Sequence, residues 1–217
     1  MKKLLIAIAA AGLLASGGAS AHAALGVDFD KPTNDFLQTS EFPGSVAGWS
    51  FTANRDLYVR ALGIYDHDPD TFHPESHNVG LWKADGTLLQ AVSIYEPQYS
   101  HQQELVAGKY HFATTEAVLL KAGQTYIIGS TMQPDSFAMF PDQLTADSHH
   151  LQFDANITYL GGRYASSASL VMPESSLDGI GYFGANIDVV PTPVPAAAWL
   201  LGSGLLGLVG LRRRQQI

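Results

Sequence analysis

From Val46 to Val189 the sequence is a succession of short runs rich in Val, Ile, Tyr, Phe, Trp and Thr, separated by turn residues, and no stretch keeps a helical period. β-branched and aromatic residues suit a pleated, half-buried surface, and runs this short cannot supply the amphipathic stripe that a helix buries. The pattern predicts an all-β fold, an antiparallel β-sandwich. The runs are Val46 to Thr52, Leu57 to Tyr65, Asn78 to Lys83, Thr87 to Ile94, Gly108 to Thr114, Ala117 to Leu120, Gln124 to Met132, Asn156 to Tyr164 and Gly181 to Val189. Eight or nine strands suffice for two packed sheets.

The punctuation between runs sets the connections. Asn54-Arg55-Asp56 and Lys121-Ala122-Gly123 read as turns. Asp85-Gly86, between two apolar runs, is the strongest short hairpin signal and pairs Asn78 to Lys83 with Thr87 to Ile94. In Leu57 to Tyr65, strict alternation puts Tyr58, Leu62 and Ile64 on one face and Leu57, Val59 and Ala61 on the other. Both faces are then covered, which predicts a central strand. Pro134 to His150 has no clear period and reads as a long surface loop.

Two segments outside this body look like addresses. Met1 to Ala23 carries Lys2 and Lys3, an apolar run from Leu4 to Leu14, and small residues ending Ala21-His22-Ala23. That is the order of a secretory signal peptide, so the export machinery and a signal peptidase are expected partners and the mature chain begins at Ala24. At the other end Pro191, Pro193 and Pro195 make an extended spacer that resists helix and sheet. The run Ala196 to Leu211 follows, sixteen residues long, and then Arg212, Arg213 and Arg214. A spanning helix needs about 17 residues or more, which spacer residues and arginine snorkelling supply. The arginines place the C-terminus on the cytoplasmic side and the body outside, with Trp199 at the outer interface. The chain thus divides into a signal peptide (1–23), a β-sandwich domain (24–190), a proline-rich spacer (191–195) and a C-terminal transmembrane helix with a basic stop (196–217).

The two ends hold five of the twelve basic residues and none of the twenty acidic ones, so the body carries seven basic against twenty acidic residues, a net charge of −13 with His neutral. Such a body repels phosphate and excludes a nucleic-acid partner. With no cysteine in the chain there are no disulfides, thiol nucleophiles or thiolate metal sites.

Taken together, Pro193-Val194-Pro195, the glycine-rich run AAAWLLGSGLLGLVGL and the terminal arginines resemble the PEP-CTERM sorting signal of exported proteins of Gram-negative bacteria. The resemblance implies an exosortase-like processing enzyme that removes the helix and releases or transfers the body. Val194 stands where that family's name-giving motif has Glu. The body in turn resembles a domain family of unknown function found in secreted bacterial proteins, often beside carbohydrate-active modules. The similarity rests on Gly48-Trp49-Ser50-Phe51, Ala61-Leu62-Gly63-Ile64-Tyr65-Asp66, His77-Asn78-Val79-Gly80-Leu81-Trp82, Asp85-Gly86-Thr87-Leu88-Leu89, Ala122-Gly123-Gln124-Thr125-Tyr126 and Tyr182-Phe183-Gly184. It implies a jelly-roll-like β-sandwich and brings no established catalytic residues.

The densest polar stretch is Asp66 to His77. Asp66, Asp68 and Asp70 alternate, so several carboxylate oxygens can turn towards one hard cation, and calcium is the expected ion. Thr71 and His77 occupy the places where an EF-hand needs Gly and Glu, so the stretch is not one. A solvated acidic loop accounts for the same residues. His67, His73 and His77 suit a transition metal, but Pro74 breaks the helical spacing of the last two. The adjacent His149 and His150 would point to opposite sides of a strand.

Trp49 and Trp82 fall inside strands and read as core residues. Tyr95, Tyr99 and His101 sit in a looser segment able to line a shallow sugar-binding surface. There is no Gly-x-Ser-x-Gly elbow, and scattered carboxylates do not define a glycosidase pair. The expected protein is therefore a non-enzymatic structural or adhesive domain of the cell envelope or exopolysaccharide matrix. A polysaccharide-binding module with calcium is the alternative, and a glycan hydrolase stands further off.

Overall fold

The computed structural model describes residues 24–29, 37–39, 44–66, 76–95, 103–106, 109–133, 136–141, 151–177 and 180–192. Among them are sixteen strands and no helix. The first eight are β1 (Ala24–Leu25), β2 (Val27–Asp28), β3 (Leu37–Thr39), β4 (Val46–Ala53), β5 (Leu57–Tyr65), β6 (His77–Lys83), β7 (Leu88–Ile94) and β8 (Gln103–Val106). The others are β9 (Tyr110–Leu120), β10 (Thr125–Thr131), β11 (Ser136–Pro141), β12 (Gln152–Phe153), β13 (Ile157–Ala165), β14 (Ser175–Leu177), β15 (Ile180–Tyr182) and β16 (Ala185–Pro191).

Two large sheets form the body, a five-stranded one in the order β1-β16-β5-β9-β8 and a six-stranded one in the order β14-β13-β4-β10-β6-β7. Smaller sheets join β15, β11 and β3, and β12 and β2. Every pairing is antiparallel. The described residues are all-β, and their sheets pack as a sandwich.

The turns do what their residues require. At the Asp85-Gly86 hairpin the Lys83 amide donates to Thr87 O at 2.9 Å, and the Thr87 amide donates to Asp85 Oδ1 at 2.9 Å. Gly86 takes φ +89°, which a side chain would resist. The other two turns change sheet. Asn54-Arg55-Asp56 carries the chain from β4 to β5, and Lys121-Ala122-Gly123 carries it from β9 to β10.

Alternation in β5 is broken once. Its register shifts between Val59 and Ala61 against both neighbours: Arg60 is the extra residue against β16, whereas against β9 the three residues Thr115, Glu116 and Ala117 lie opposite Arg60 alone. Val189, Ile187 and Ala185, alternate residues of β16, lie opposite Val59, Leu62 and Ile64. Leu57, Val59, Leu62 and Ile64 therefore share a face, which corrects the grouping of Tyr58 with Leu62 and Ile64 expected from strict alternation. Past the bulge both faces are buried. Gly63 makes room there for Phe112, whose ring lies 2.7 Å from where a Cβ would stand. The strand is central in its sheet, between β16 and β9.

Two further expectations are adjusted. The two runs expected at Gly108 to Thr114 and Ala117 to Leu120 are joined in one strand, β9, which begins at Tyr110 and has its irregularity facing Arg60. The span expected to be loop from Pro134 to His150 contains β11, which pairs with β15 and β3. Apolar residues at both parities, Phe137 to Phe140, hide the period of two.

The core joins both sheets. Trp49, Phe51, Tyr126, Ile128, Val79 and Leu81 from the six-stranded sheet are buried with Leu57, Val59, Leu62, Ile187 and Val189 from the other. The Trp49 indole N–H donates to Ala185 O at 2.8 Å, tying β4 to β16. Gly48, one residue earlier, has no room to change. A Cβ there would lie 1.9 Å from Ile128 O and 2.5 Å from Gly129 Cα, both backbone atoms that cannot swing aside. Gly48→Ala is expected to cost about 3 kcal/mol of stability in chemical denaturation, the upper end for an overpacked core.

The sandwich has two unlike poles. One carries the turns at 54–56, 84–87, 121–124 and 154–156, bound to one another by Asn54 N to Asn156 O (2.8 Å), Ala84 N to Thr125 O (3.2 Å) and Gly123 N to Ala53 O (2.7 Å). β16 ends at this pole and β1 begins there, since Ala24 lies opposite Val189. The other pole gathers the ends of β5, β7 and β10 and the starts of β4, β6 and β9.

Candidate functional site

At the second pole β5 ends at Tyr65 and passes the chain to Asp66. The Asp66 amide donates to Lys109 O at 2.7 Å, and its carboxylate accepts from His111 Nε2 at 2.7 Å. The two side chains are only 13% and 6% exposed, so this pair is screened from water. A carboxylate can only accept, which assigns the proton to Nε2. His111 Nδ1 is buried with no hydrogen-bond partner. Among the described residues, no hydroxyl is therefore bonded to the free nitrogen of this imidazole.

Beside it, the Lys109 ammonium pairs with Asp28 Oδ1 at 2.6 Å, donates to Phe29 O, and lies 5.3 Å above the Phe29 ring centroid. Phe29, Tyr65 and Tyr110 form a ring cluster with centroids 5.3 to 5.9 Å apart. Burial pushes the phenols of Tyr65 and Tyr110 up, and the charges of Asp66 and Asp28 respectively add to this. Both hydroxyls remain protonated donors at neutral pH, and that of Tyr110 donates to Phe183 O at 3.3 Å.

The sequence-selected residues divide as follows. Asp66 is turned inward onto His111, while Asp68 and Asp70 lie outside the described residues. Among the described residues no three His, Cys, Asp or Glu side chains are grouped to hold a metal ion. His77 donates through Nδ1 to Thr131 O at 3.0 Å, fixing the start of β6 against the end of β10. His67, His73, Tyr99, His101, His149 and His150 lie outside the described residues, and Tyr95 is 54% exposed at the end of β7. Trp49 is in the core between the sheets. Trp82 is buried too, but on the opposite face of the six-stranded sheet from Leu81. The leader expected over 1–23, the positions expected to form a sorting signal, Pro193, Val194, Pro195, Arg212, Arg213 and Arg214, and the helix expected over 196–217 are also outside the described residues.

The first pole is where the chain leaves for that tail. Asp56 organises it. Its carboxylate accepts from the Ala122 amide at 3.0 Å and from Lys121 Nζ at 2.9 Å, and its carbonyl accepts from the Thr192 hydroxyl at 3.1 Å. The Ala122 amide first, and Lys121 second, hold the Asp56 carboxyl below its usual range. A depressed carboxylate favours the folded state above its unfolded pKa and loses that contribution as pH falls through the folded value. The Tm difference between the native protein and Asp56→Asn should therefore be full at pH 6 and vanish in strong acid. A difference independent of pH would show that the carboxylate charge is not what holds the turn.

Three groupings were hidden from sequence reading: Asp66 with His111, Lys109 with Asp28, and Asn186 with Val27. Their members are 45, 81 and 159 residues apart, and no local pattern announces such pairs. The Asn186 side chain, fully buried, accepts from the Val27 amide at 3.1 Å and donates to Val27 O at 2.7 Å, pinning the N-terminal arm.

A family model described as a domain of unknown function (DUF4082) matches residues 30–184. No curated protein matches the chain.

Proposed function

Because the chain belongs to the DUF4082 family of domains of unknown function, we propose that its sandwich is the exported body of a cell-envelope or extracellular-matrix protein, structural or adhesive rather than enzymatic. A PEP-CTERM-like tail addresses it. In this reading Pro193-Val194-Pro195 offers an extended site to an exosortase-like enzyme, the helix over 196–217 holds the body outside the inner membrane, and Arg212 to Arg214 set its orientation. The observation that carries it is the common exit of the two ends: β1 starts beside the end of β16, at the pole of tight turns. A body so built is tethered by one pole and presents the other. Fractionation of cells making the chain with and without 196–217 tests this. The native protein should collect in the membrane and exterior fractions and the truncated one as free periplasmic protein; identical distributions would sink the reading.

The alternative, a polysaccharide-binding module, draws on exposed Tyr95 at the presented pole. A calcium ion there would use Asp68 and Asp70 with Asp66. Added calcium after EDTA should then raise the melting midpoint, and Asp68→Ala should abolish the rise, since a ligand bound only by the folded state stabilises it. A glycan array separates binding module from structural domain.

A further inference from the structure

Trp82 is buried without being part of the core between the sheets. It projects from the far face of the six-stranded sheet, opposite Ile127 in register, and both are 4% exposed. Gly48, Gly129 and Gly80 are also in register across β4, β10 and β6, so the centre of this face has no side chains. The Trp82 ring lies over Gly80, 2.3 Å from the position of a Cβ, and Pro173 stands 3.0 Å from that of Gly129. Facing Cβ positions on paired strands are about 5 Å apart, so ring and proline are neighbours. Pro173 belongs to the connection from β13 to β14, which crosses this face. Its Ala168 lies 3.8 Å from a Cβ at Gly44 and its Met172 3.8 Å from one at Gly86, at opposite poles.

What holds this connection down is packing. Among the described residues, Ser167 and Ser169 bond only to each other. Among the described residues, the one hydrogen bond from 166–174 to the rest of the protein is Arg163 Nη1 to Glu174 O, at 3.3 Å. The ends are closed by the β13–β14 pairing of Gly162, Arg163 and Tyr164 with Leu177, Ser176 and Ser175. A compact loop with neighbouring ends can lift without breaking any rung of the sheet. We propose that residues 166–174 form a strap that opens as a unit while the sandwich stays folded, uncovering Trp82 and Ile127. Opening breaks one hydrogen bond and releases Pro173 and Met172, far less than global unfolding breaks, so the open state belongs to the low-energy local openings of the native protein. The sandwich thereby holds an aromatic surface that exists only when the strap is raised.

The chain has no cysteine, so single thiols report access cleanly. In the full-length protein, Ile127→Cys sits beneath the strap and Val79→Cys in the core between the sheets. Under native conditions the thiol at 127 should react at least tenfold faster than that at 79, with a much shallower dependence on urea. Pro173→Ala should speed the reaction at 127 severalfold and leave that at 79 unchanged. Equal rates and equal urea dependence at the two positions, or an equal gain from Pro173→Ala, would overturn the proposal. Acrylamide quenching of Trp82, taken as the difference from Trp82→Phe, gives the same readout without a new thiol. It should rise in Pro173→Ala while the unfolding midpoint moves little, and quenching that changes only with global unfolding would overturn the proposal.

Discussion

Trp49→Ala is expected to lower the unfolding free energy by about 4 kcal/mol, the range for removing a large aromatic from a packed core. The side chain is fully buried and touches Phe51, Phe153, Tyr159 and Phe183, with centroids 5.1 to 6.4 Å away. Its indole N–H is also a hydrogen bond between the sheets, to Ala185 O. Alanine leaves that carbonyl buried without its donor, a penalty of about 1 to 3 kcal/mol. Domains of this size are stable by only about 5 to 15 kcal/mol, so the variant should be near the limit of folding. Trp49→Phe should recover most of the packing but not the carbonyl's partner. Urea denaturation of the three proteins separates the contributions.

Asn186→Ala is the second large effect, at about 3 kcal/mol, and its character differs. Asn186 accepts from the amides of Val27 and Ile187 and donates to Val27 O, all in a buried setting. Removing the side chain leaves Val27 with an amide and a carbonyl that water cannot reach, and buried groups left unpaired cost more than the bonds themselves contribute. The loss should be felt first in the N-terminal arm, where Val27 and Phe29 are core residues held by a two-residue strand on either side of Gly26. Limited proteolysis should cut between 24 and 29 in the variant at urea concentrations where β4 and β10 remain protected. Asn186→Asp should be no milder, because it keeps the acceptor, removes the donor and buries a charge.

Much of the sandwich is legible in its sequence, for local reasons. Asp85-Gly86 announces its hairpin because the turn needs a residue tolerant of positive φ. Trp49 reads as core because a large ring inside an alternating run is hard to leave in water. What is not legible is non-local. Arg60 occupies an ordinary alternating position, and only the register against β16 makes it a bulge that moves Leu62 and Ile64 onto the face of Val59. Trp82 sits in as good a strand as Trp49, yet its place under a strap on the outer face depends on Pro173, ninety-one residues away. The pole of Asp66 is half legible: the acidic run is plain, but the turn of Asp66 inward depends on His111 of the neighbouring strand β9. In the same way, nothing local in Ala24 to Leu25 or in Ala185 to Pro191 foretells that β1 and β16 are neighbours.

That adjacency is the centre of the account, since a domain whose two ends leave from one pole can be carried and then released by processing at that pole alone. Intact-mass measurement of the protein recovered from cells tests it most directly. A chain that begins at Ala24 and ends within or just beyond the 191–195 spacer is expected, while a stable product still carrying the C-terminus at Ile217 would overturn this reading.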